Sequence, residues 1–413
     1  MDYFNYKNDE YYAEDVAVKK MAATYGTPLF VYSQQTIKHH LNTYIKAFGN
    51  SGHKLCYSVK VNSNLSILKM MVKMGTGFDI VSKGELQKVI MAGAKGSDIV
   101  FSGVGKTTDE LEFALENNIY CFNVESYPEL LNLQKIAAKQ NKQAPVAIRV
   151  NPDIDAKTHP YISTGMSENK FGLNIDEAIE AYKFAKNSKN LKIIGIDCHI
   201  GSQITTIKPY EDATDKLLNL VQKLKDDLDI DIEHIDLGGG LGVCYDDENP
   251  PSVDIWINSI LTKIPKNMKL ILEPGRSIMA NAGILLSQII YIKKNKNKNF
   301  IITDSGMNDL IRPSLYQAYH KIIPAIKNSG EKITADIVGP ICESTDFSGK
   351  NRNIQCQPND ILVTRTVGAY GFCMASNYNI RPRSAEVMVD KNSHKIIRHR
   401  ESIDDLIKNE IIE

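Results

Sequence analysis

From residue 29 to about 275, short apolar runs alternate with longer amphipathic stretches. The runs are LCYSVKV (55–61), GFDIVS (77–82), DIVFSGV (98–104), IYCFNVES (119–126), PVAIRVNP (145–152), KIIGIDCHIGS (192–202), HIDLGGG (234–240) and LILEPGR (270–276). Each is rich in β-branched residues, and most are continuous rather than alternating, as expected of strands covered on both faces. The segments between them have room for helices, and LLNLVQKLKDDL (217–228) spaces its apolar residues as a helix does. Eight strands alternating with helices predict a (β/α)8 barrel. A doubly wound open sheet is the rival, and the count of eight favours the barrel.

After residue 283 the texture changes. ILLSQIIYIKKN, NFIITDSG, EKITADIVGP, DILVTRTVG and AEVMVDKNSHKIIRH read as strands separated by turns. They predict a second, mostly antiparallel β-domain, a barrel or a sandwich. SIDDLIKNEII predicts a short closing helix with Ser402 as its N-cap. The expected division is a barrel over 29–282 and a β-domain over 283–413, with residues 1–28 packed on the latter.

Composition narrows the function. With 413 residues the chain is long enough for two cores. Lys+Arg and Asp+Glu both total 49, so nothing favours a nucleic acid or a membrane surface as partner. The longest apolar run, GILLSQIIYI, is too short to span a bilayer. The start, MDYFNYKNDEYYAEDV, is polar and acidic, unlike a secretion signal. Seven cysteines, odd in number and without a CxxC, argue against a disulfide framework or a zinc site, so no metal is expected. They favour a reducing, cytoplasmic compartment.

Barrel chemistry collects where strands end at their C-termini. Here those ends carry Lys60 and Asn62, Asp79 and Ser82, Arg149 and Asn151, His199 with Ser202, Gly238 to Gly240, and Glu273 with Gly275 and Arg276. Lys60 follows an apolar run. Either the strand surfaces there, or an ammonium in an apolar site has a lowered pKa and can condense with an aldehyde. Gly238–Gly240 offer backbone N–H groups to a phosphate, and Gly275, Arg276 and Ser202 on neighbouring strands would complete a cup. Read alone, the three glycines make a tight turn equally well. A lone Glu273 more often forms a salt bridge, and a lone His199 more often sits satisfied in a core. Together with the cup and the lysine they describe pyridoxal phosphate: a lysine for the aldehyde, a carboxylate for the pyridinium, an imidazole for one ring face.

On these residues the chain resembles the group III, alanine-racemase-fold, pyridoxal-phosphate-dependent decarboxylases. The stretches that carry the resemblance are YSVKVNSN (57–64), GFDIVSKGEL (77–86), KFG (170–172), HIGSQ (199–203), DLGGGLGV (236–243), EPGRS (273–277), MNDLIRPSLYQAYH (307–320), GPICESTD (339–346) and GAYGFCMASNYN (368–379). They lie in the family's order. The resemblance implies pyridoxal 5'-phosphate as cofactor, with Lys60 bonded to it and His199 stacked on it. It places Ser202, Gly239, Gly240, Gly275, Arg276 and Tyr370 around the phosphate and Glu273 at the ring nitrogen. It implies that Arg276, Arg312 and Tyr316 hold a substrate's far carboxylate and Glu343 its far ammonium, that Tyr370 also binds substrate, and that Cys342 is the proton donor. Within the family the match is to the branch that acts on meso-diaminopimelate and releases L-lysine. It also implies a homodimer whose partner chain supplies Cys342 and Glu343.

Residue chemistry supports the far-carboxylate assignment. Arg312 and Tyr316 stand at i, i+4, on one face if that stretch is helical. A guanidinium fork suits a carboxylate, whereas ornithine and arginine would ask for an acidic group. Arg312 could equally be a surface arginine, Tyr316 a packing residue and Cys342 an inert small hydrophobe. The rival functions are decarboxylation of arginine, ornithine or carboxynorspermidine, racemisation, and non-catalytic cofactor carriage.

Overall fold

The computed structural model describes residues 2–49, 51–155, 170–327 and 330–412. Two compact units divide the chain. One comprises Asn42–Val243 and Asn249–Arg276; the other comprises Met1–Leu41, Cys244–Glu248 and Ser277–Glu413.

The first unit is a closed barrel of eight parallel strands: β1 (Lys54–Ser58), β2 (Gly77–Ile80), β3 (Ile99–Phe101), β4 (Cys121–Val124), β5 (Ala144–Arg149), β6 (Leu191–Asp197), β7 (His234–Asp236) and β8 (Lys269–Leu272). Neighbours in sequence are neighbours in the barrel, and β8 closes on β1 through Ile271↔Lys54 and Leu272↔Leu55. All eight expected strands are present, and closure excludes the open sheet. Several of the helices between them start on a side chain that caps a free backbone N–H. Asn64, Ser82, Thr107, Ser126 and Asn174 all do this, each contributing about 1 kcal/mol. A layer of small apolar side chains, Cys56, Val100, Cys121, Ala147, Ile194 and Ile271, fills the interior.

The strands are shorter than the apolar runs. β1 stops at Ser58, and Val59–Val61 form a 3₁₀ turn closed by Asn62 N–H on the Val59 carbonyl. Lys60 therefore stands on a turn beyond the strand. His199 likewise lies past the end of β6, and Gly238 past the end of β7.

The second unit is built on a sheet that runs, from one edge to the other, Phe347–Cys356, Glu331–Val338, Asn299–Thr303, Gly283–Lys294, Leu29–Ser33, Ala385–Asp390, Ser393–Arg398. Ile361–Thr364 pairs with Gly283–Lys294 and with Ile322–Pro324. Two of the pairings are parallel: Asn299–Thr303 with Glu331–Val338, and Leu29–Ser33 with Ala385–Asp390. The rest are antiparallel. Leu29–Ser33 falls inside the range expected for the barrel, yet all five of its residues are buried in this other sheet. An apolar five-residue strand carries no mark of which sheet it will join. The N-terminal segment packs into this unit's core, where Phe4, Tyr11, Val18 and Met21 join Ile284, Val363 and Val387. Ser402 caps the closing helix Ile403–Ile407 as expected.

One histidine in the barrel carries a pH dependence. His234 on β7 is fully buried, and a Cβ on Gly195 of β6 would fall 2.1 Å from its Nε2, so only glycine leaves room for the ring. Burial, then the Lys269 and Lys54 charges, pushes the imidazole down to about 3. In the unfolded chain a histidine takes up its proton near pH 6.5. The contribution of neutral His234 to stability is therefore present above that pH and lost as pH falls toward 3. At pH 4.5 the loss is roughly 2–3 kcal/mol. His234→Phe keeps a flat ring that cannot titrate. Between about pH 7 and pH 4.5 it should lose that much less stability than the parent in urea unfolding. Equal losses would contradict the assignment.

Candidate active site

Where the barrel strands end, the polar residues gather around buried acid. Lys60 Nζ lies 3.1 Å from Asp79 Oδ2, and Ser58 Oγ lies 2.7 Å from the same oxygen. Asp79, at the end of β2, is wholly buried, while the lysine side chain keeps 39% of its surface exposed. The apolar surroundings read from LCYSVKV thus do not reach the ammonium, which stands in an ion pair at the mouth of the barrel. On a strand the apolar side chains line the backbone, but a lysine's four methylenes carry its charge past them.

Four more carboxyls are buried in this unit near the strand ends: Glu125, Asp197, Asp236 and Glu273. Arg149 donates to Glu125 Oε1 at 2.8 Å and lies 3.9 Å from Asp197 Oδ2. Burial raises Glu273 well above the usual carboxylate range, and the neighbouring Asp236, Asp79 and Asp197 push it further. Asp236 is raised to about 6 by burial, against the pull of Gly238 N–H, which donates to its Oδ1 at 2.9 Å. The Lys60 charge pulls Glu273 back down, and the Arg149 charge does the same for Asp197. The site therefore holds more acid than the base paired with it. Among the described residues, Glu273 Oε1 finds no hydrogen-bond partner.

The glycine run lies beside this acid. A Cβ on Gly238 would sit 2.5 Å from His199 Nδ1, so the imidazole rests against bare backbone. A Cβ on Gly239 would sit 2.3 Å from the Glu273 carbonyl oxygen, so the turns after β7 and β8 touch through it. His199 is held far below its usual range by burial first and by the Arg149 and Lys60 charges next, which leaves a neutral ring. Arg276 Nε and Nη2 lie 3.2 and 2.9 Å from Ser202 Oγ. Gly240 and Gly275 complete the same set of turns. Lys60, His199, Ser202, Gly239, Gly240, Glu273, Gly275 and Arg276 thus all lie at the strand ends of one unit. They offer a phosphate-binding corner, a neutral flat ring and unneutralised buried acid. This donor set fits pyridoxal phosphate, whose phosphate is anionic and whose ring nitrogen can carry a proton.

The β-unit carries the other residues. Arg312–Tyr316 is a one-turn helix, as the i, i+4 spacing requires. Arg312 is buried, with its guanidinium carbon 5.4, 5.7 and 6.0 Å from the rings of Tyr245, Tyr316 and Tyr370, within cation–π range. Its Nε donates to His320 Nε2 at 3.4 Å. Cys342 and Glu343 are on an exposed loop, as GPICESTD implied. Asp346 ties that loop to the MND loop by accepting from Met307 N–H at 2.6 Å and Ile341 N–H at 2.7 Å. Ser314, in the Arg312 helix, donates to the Thr345 carbonyl at 2.6 Å.

The comparisons with known proteins agree with this chemistry. Residues 34–280 match the family described as "Pyridoxal-dependent decarboxylase, pyridoxal binding domain". The diaminopimelate decarboxylase of Vibrio cholerae is 51% identical over 409 residues, 98% of each chain. The chain belongs to the diaminopimelate decarboxylase family. Family likeness extends to solved structures. The diaminopimelate decarboxylase from m. jannaschii in co-complex with L-lysine matches with a TM-score of 0.95 at 38% identity, covering 100% of this chain and 98% of that one. The Helicobacter pylori diaminopimelate decarboxylase complexed with L-lysine matches with a TM-score of 0.91 at 42% identity, over 95% of this chain and 98% of that one. Pyridoxal phosphate is thus the cofactor of this carboxy-lyase family, and the barrel carries the residues suited to it.

Sequence reasoning passed over several residues of these sites. Asp79 and Arg149 stand out in the sequence only as polar strand ends. Asp236, two residues before the glycine run, forms part of the charge balance with them. Tyr245, Asp346 and Tyr378 signal nothing alone, because their partners are distant in sequence.

Proposed function

We propose that this protein removes the carboxylate at the D-centre of meso-2,6-diaminopimelate, releasing CO2 and L-lysine, the last step of lysine biosynthesis by the diaminopimelate route. The observation that carries the reading is Arg312. A buried guanidinium ringed by three tyrosines suits a second amino-acid carboxylate and offers nothing to the lone ammonium of ornithine.

When bound, pyridoxal phosphate supplies an aldehyde carbon for an amine and a ring that accepts the electron pair left when CO2 departs. Lys60 would be the amine that joins this carbon, and in the free chain Asp79 holds its ammonium at the barrel mouth. Ser202, Gly239, Gly240, Gly275, Arg276 and Tyr370 would hold the phosphate. His199, kept neutral by burial, presents a flat face without competing for the ring's positive charge. Glu273, whose Oε1 has no hydrogen-bond partner among the described residues, would share a proton with the ring nitrogen and so favour the cationic ring. Arg276, Arg312, Tyr316 and Tyr370 would hold the unreacted head's carboxylate and Glu343 its ammonium. The thiol of Cys342 would give its proton to the α-carbon after CO2 leaves. Which head reacts depends on which the clamp accepts. A cytoplasmic setting agrees with the free thiols of all seven cysteines.

The reading includes a homodimer in which each chain lends Cys342 and Glu343 to its partner. An isologous two-fold interface makes this exchange reciprocal.

Holoenzyme should release CO2 from meso-diaminopimelate and none above background from ornithine or arginine. Arg312→Lys keeps the charge but loses the fork, and should lower kcat/KM about 100-fold or more while the bound cofactor's absorbance persists. Full activity in that variant would remove Arg312 from the substrate site. Lys60→Ala and Cys342→Ala proteins should each be nearly inactive, and co-refolding equal amounts should restore roughly a quarter of wild-type activity, one intact site in half the dimers. No recovery with mixed dimers demonstrably present would mean that each site comes from one chain.

A further inference from the structure

The segment Ser376–Ile380 has a backbone that its sequence does not favour. Asn379 (φ 56°) and Ile380 (φ 54°) both adopt the left-handed conformation. Asparagine tolerates it, but a β-branched isoleucine rarely does, and such strain persists only where surrounding contacts impose it. Those contacts are present on both sides. Ser376 N–H donates to the Asn308 carbonyl at 2.8 Å. Asn377 Nδ2 donates to Glu401 Oε2 at 2.8 Å and to the Arg381 carbonyl at 3.1 Å. Arg381 Nη2 in turn donates to the Asp304 carbonyl at 3.2 Å.

The strained stretch turns two side chains toward one loop. Asn379 Oδ1 accepts from Cys342 N–H at 3.3 Å. Tyr378 Oη donates to Glu343 Oε1 at 2.6 Å. Neighbouring residues of one segment thus hold neighbouring residues of the other, one by backbone and one by side chain. Glu343 is exposed, so a glutamate there would otherwise sample several rotamers and pay to be ordered when a ligand arrives. With Oε1 engaged by the phenol, the carboxylate has one orientation and Oε2 is left for a cation. The tyrosine's proton is held more tightly as well, since the carboxylate beside it raises its pKa.

We propose that Tyr378 is a positioning residue for substrate specificity: by fixing the Glu343 carboxylate it sets the affinity for the ammonium of the substrate's unreacted head. This rests on the reading that Glu343 is the ligand of that ammonium. Tyr378 itself touches neither the reacting carbon nor its proton donor's thiol in this scheme, so its effect falls on binding and not on the chemical step.

The test is a double-mutant cycle on the holoenzyme with meso-diaminopimelate, using Tyr378→Phe, Glu343→Gln and both together. Tyr378→Phe keeps the ring and removes only the hydroxyl. It should raise KM about 5- to 10-fold, the effect of one hydrogen bond to a charged group, and leave kcat within about twofold. Glu343→Gln should raise KM more, and adding Tyr378→Phe to it should change KM little further. A KM in Tyr378→Phe equal to wild type, with Glu343→Gln impaired, would overturn the positioning role while leaving the role of Glu343 intact. A normal KM in Glu343→Gln would overturn the assignment of Glu343 and this proposal with it. A fall in kcat with KM unchanged, or effects that simply add in the double variant, would show that Tyr378 acts on the loop's structure and not through Glu343.

Discussion

The ion pair between Lys60 and Asp79, set in a barrel mouth that holds more carboxylate than its cations can match, is the constraint on which the rest of the site depends. A buried carboxylate without a cation is costly, and the chain handles the surplus in two ways. Part is made harder to ionise: burial and the neighbouring carboxylates raise Glu273 well above its usual range, and burial raises Asp236 to about 6. Part is matched by Lys60 and Arg149. A protonated pyridine nitrogen would supply further positive charge on the side where Glu273 has an unsatisfied oxygen. The neutral His199 runs against that surplus. A charged imidazole would relieve the acid but would be buried beside Arg149 and Lys60, and desolvation decides against it.

The β-unit follows a different physical rule. Arg312 is buried against the faces of Tyr245, Tyr316 and Tyr370. Aromatic rings stabilise a guanidinium without carrying a negative charge of their own. The loops on which Cys342 and Glu343 ride are fixed mainly by backbone donors. The buried Asp346 gathers two of them, and the strained Asn379 a third. Such polar ties can fix a loop whose tip is exposed to solvent.

Much of this was legible in the chain. Eight apolar runs of strand length, with helical room between them, can bury themselves only as a parallel array, and the polar residues just past each run had to share one end of it. The motifs around Lys60, the glycines and Glu273 pointed to the cofactor because each sits where a strand stops. The boundary at residue 29 misled because LFVYS is apolar throughout, and strand partners are settled by long-range pairing that local pattern does not encode. FSGKNRNIQC passed unnoticed as the strand Phe347–Cys356 because its outer face is polar and its pairing with Glu331–Val338 supplies the order. Lys60 looked apolar-bound because the run before it is apolar, while the aspartate that meets its ammonium lies on the next strand. Tyr245 and Tyr378 were silent for the same reason, since each acts through a partner far away in sequence.

The central claim is that Lys60, held at the barrel mouth by Asp79, is the point at which the cofactor is joined to the chain. Borohydride reduction of the holoenzyme, followed by peptide mapping, tests it most directly. The account predicts a single pyridoxyl label on Lys60, with loss of the visible absorbance band and no label in Lys60→Ala protein. A label on another lysine, or equal labelling of the Lys60→Ala variant, would contradict it.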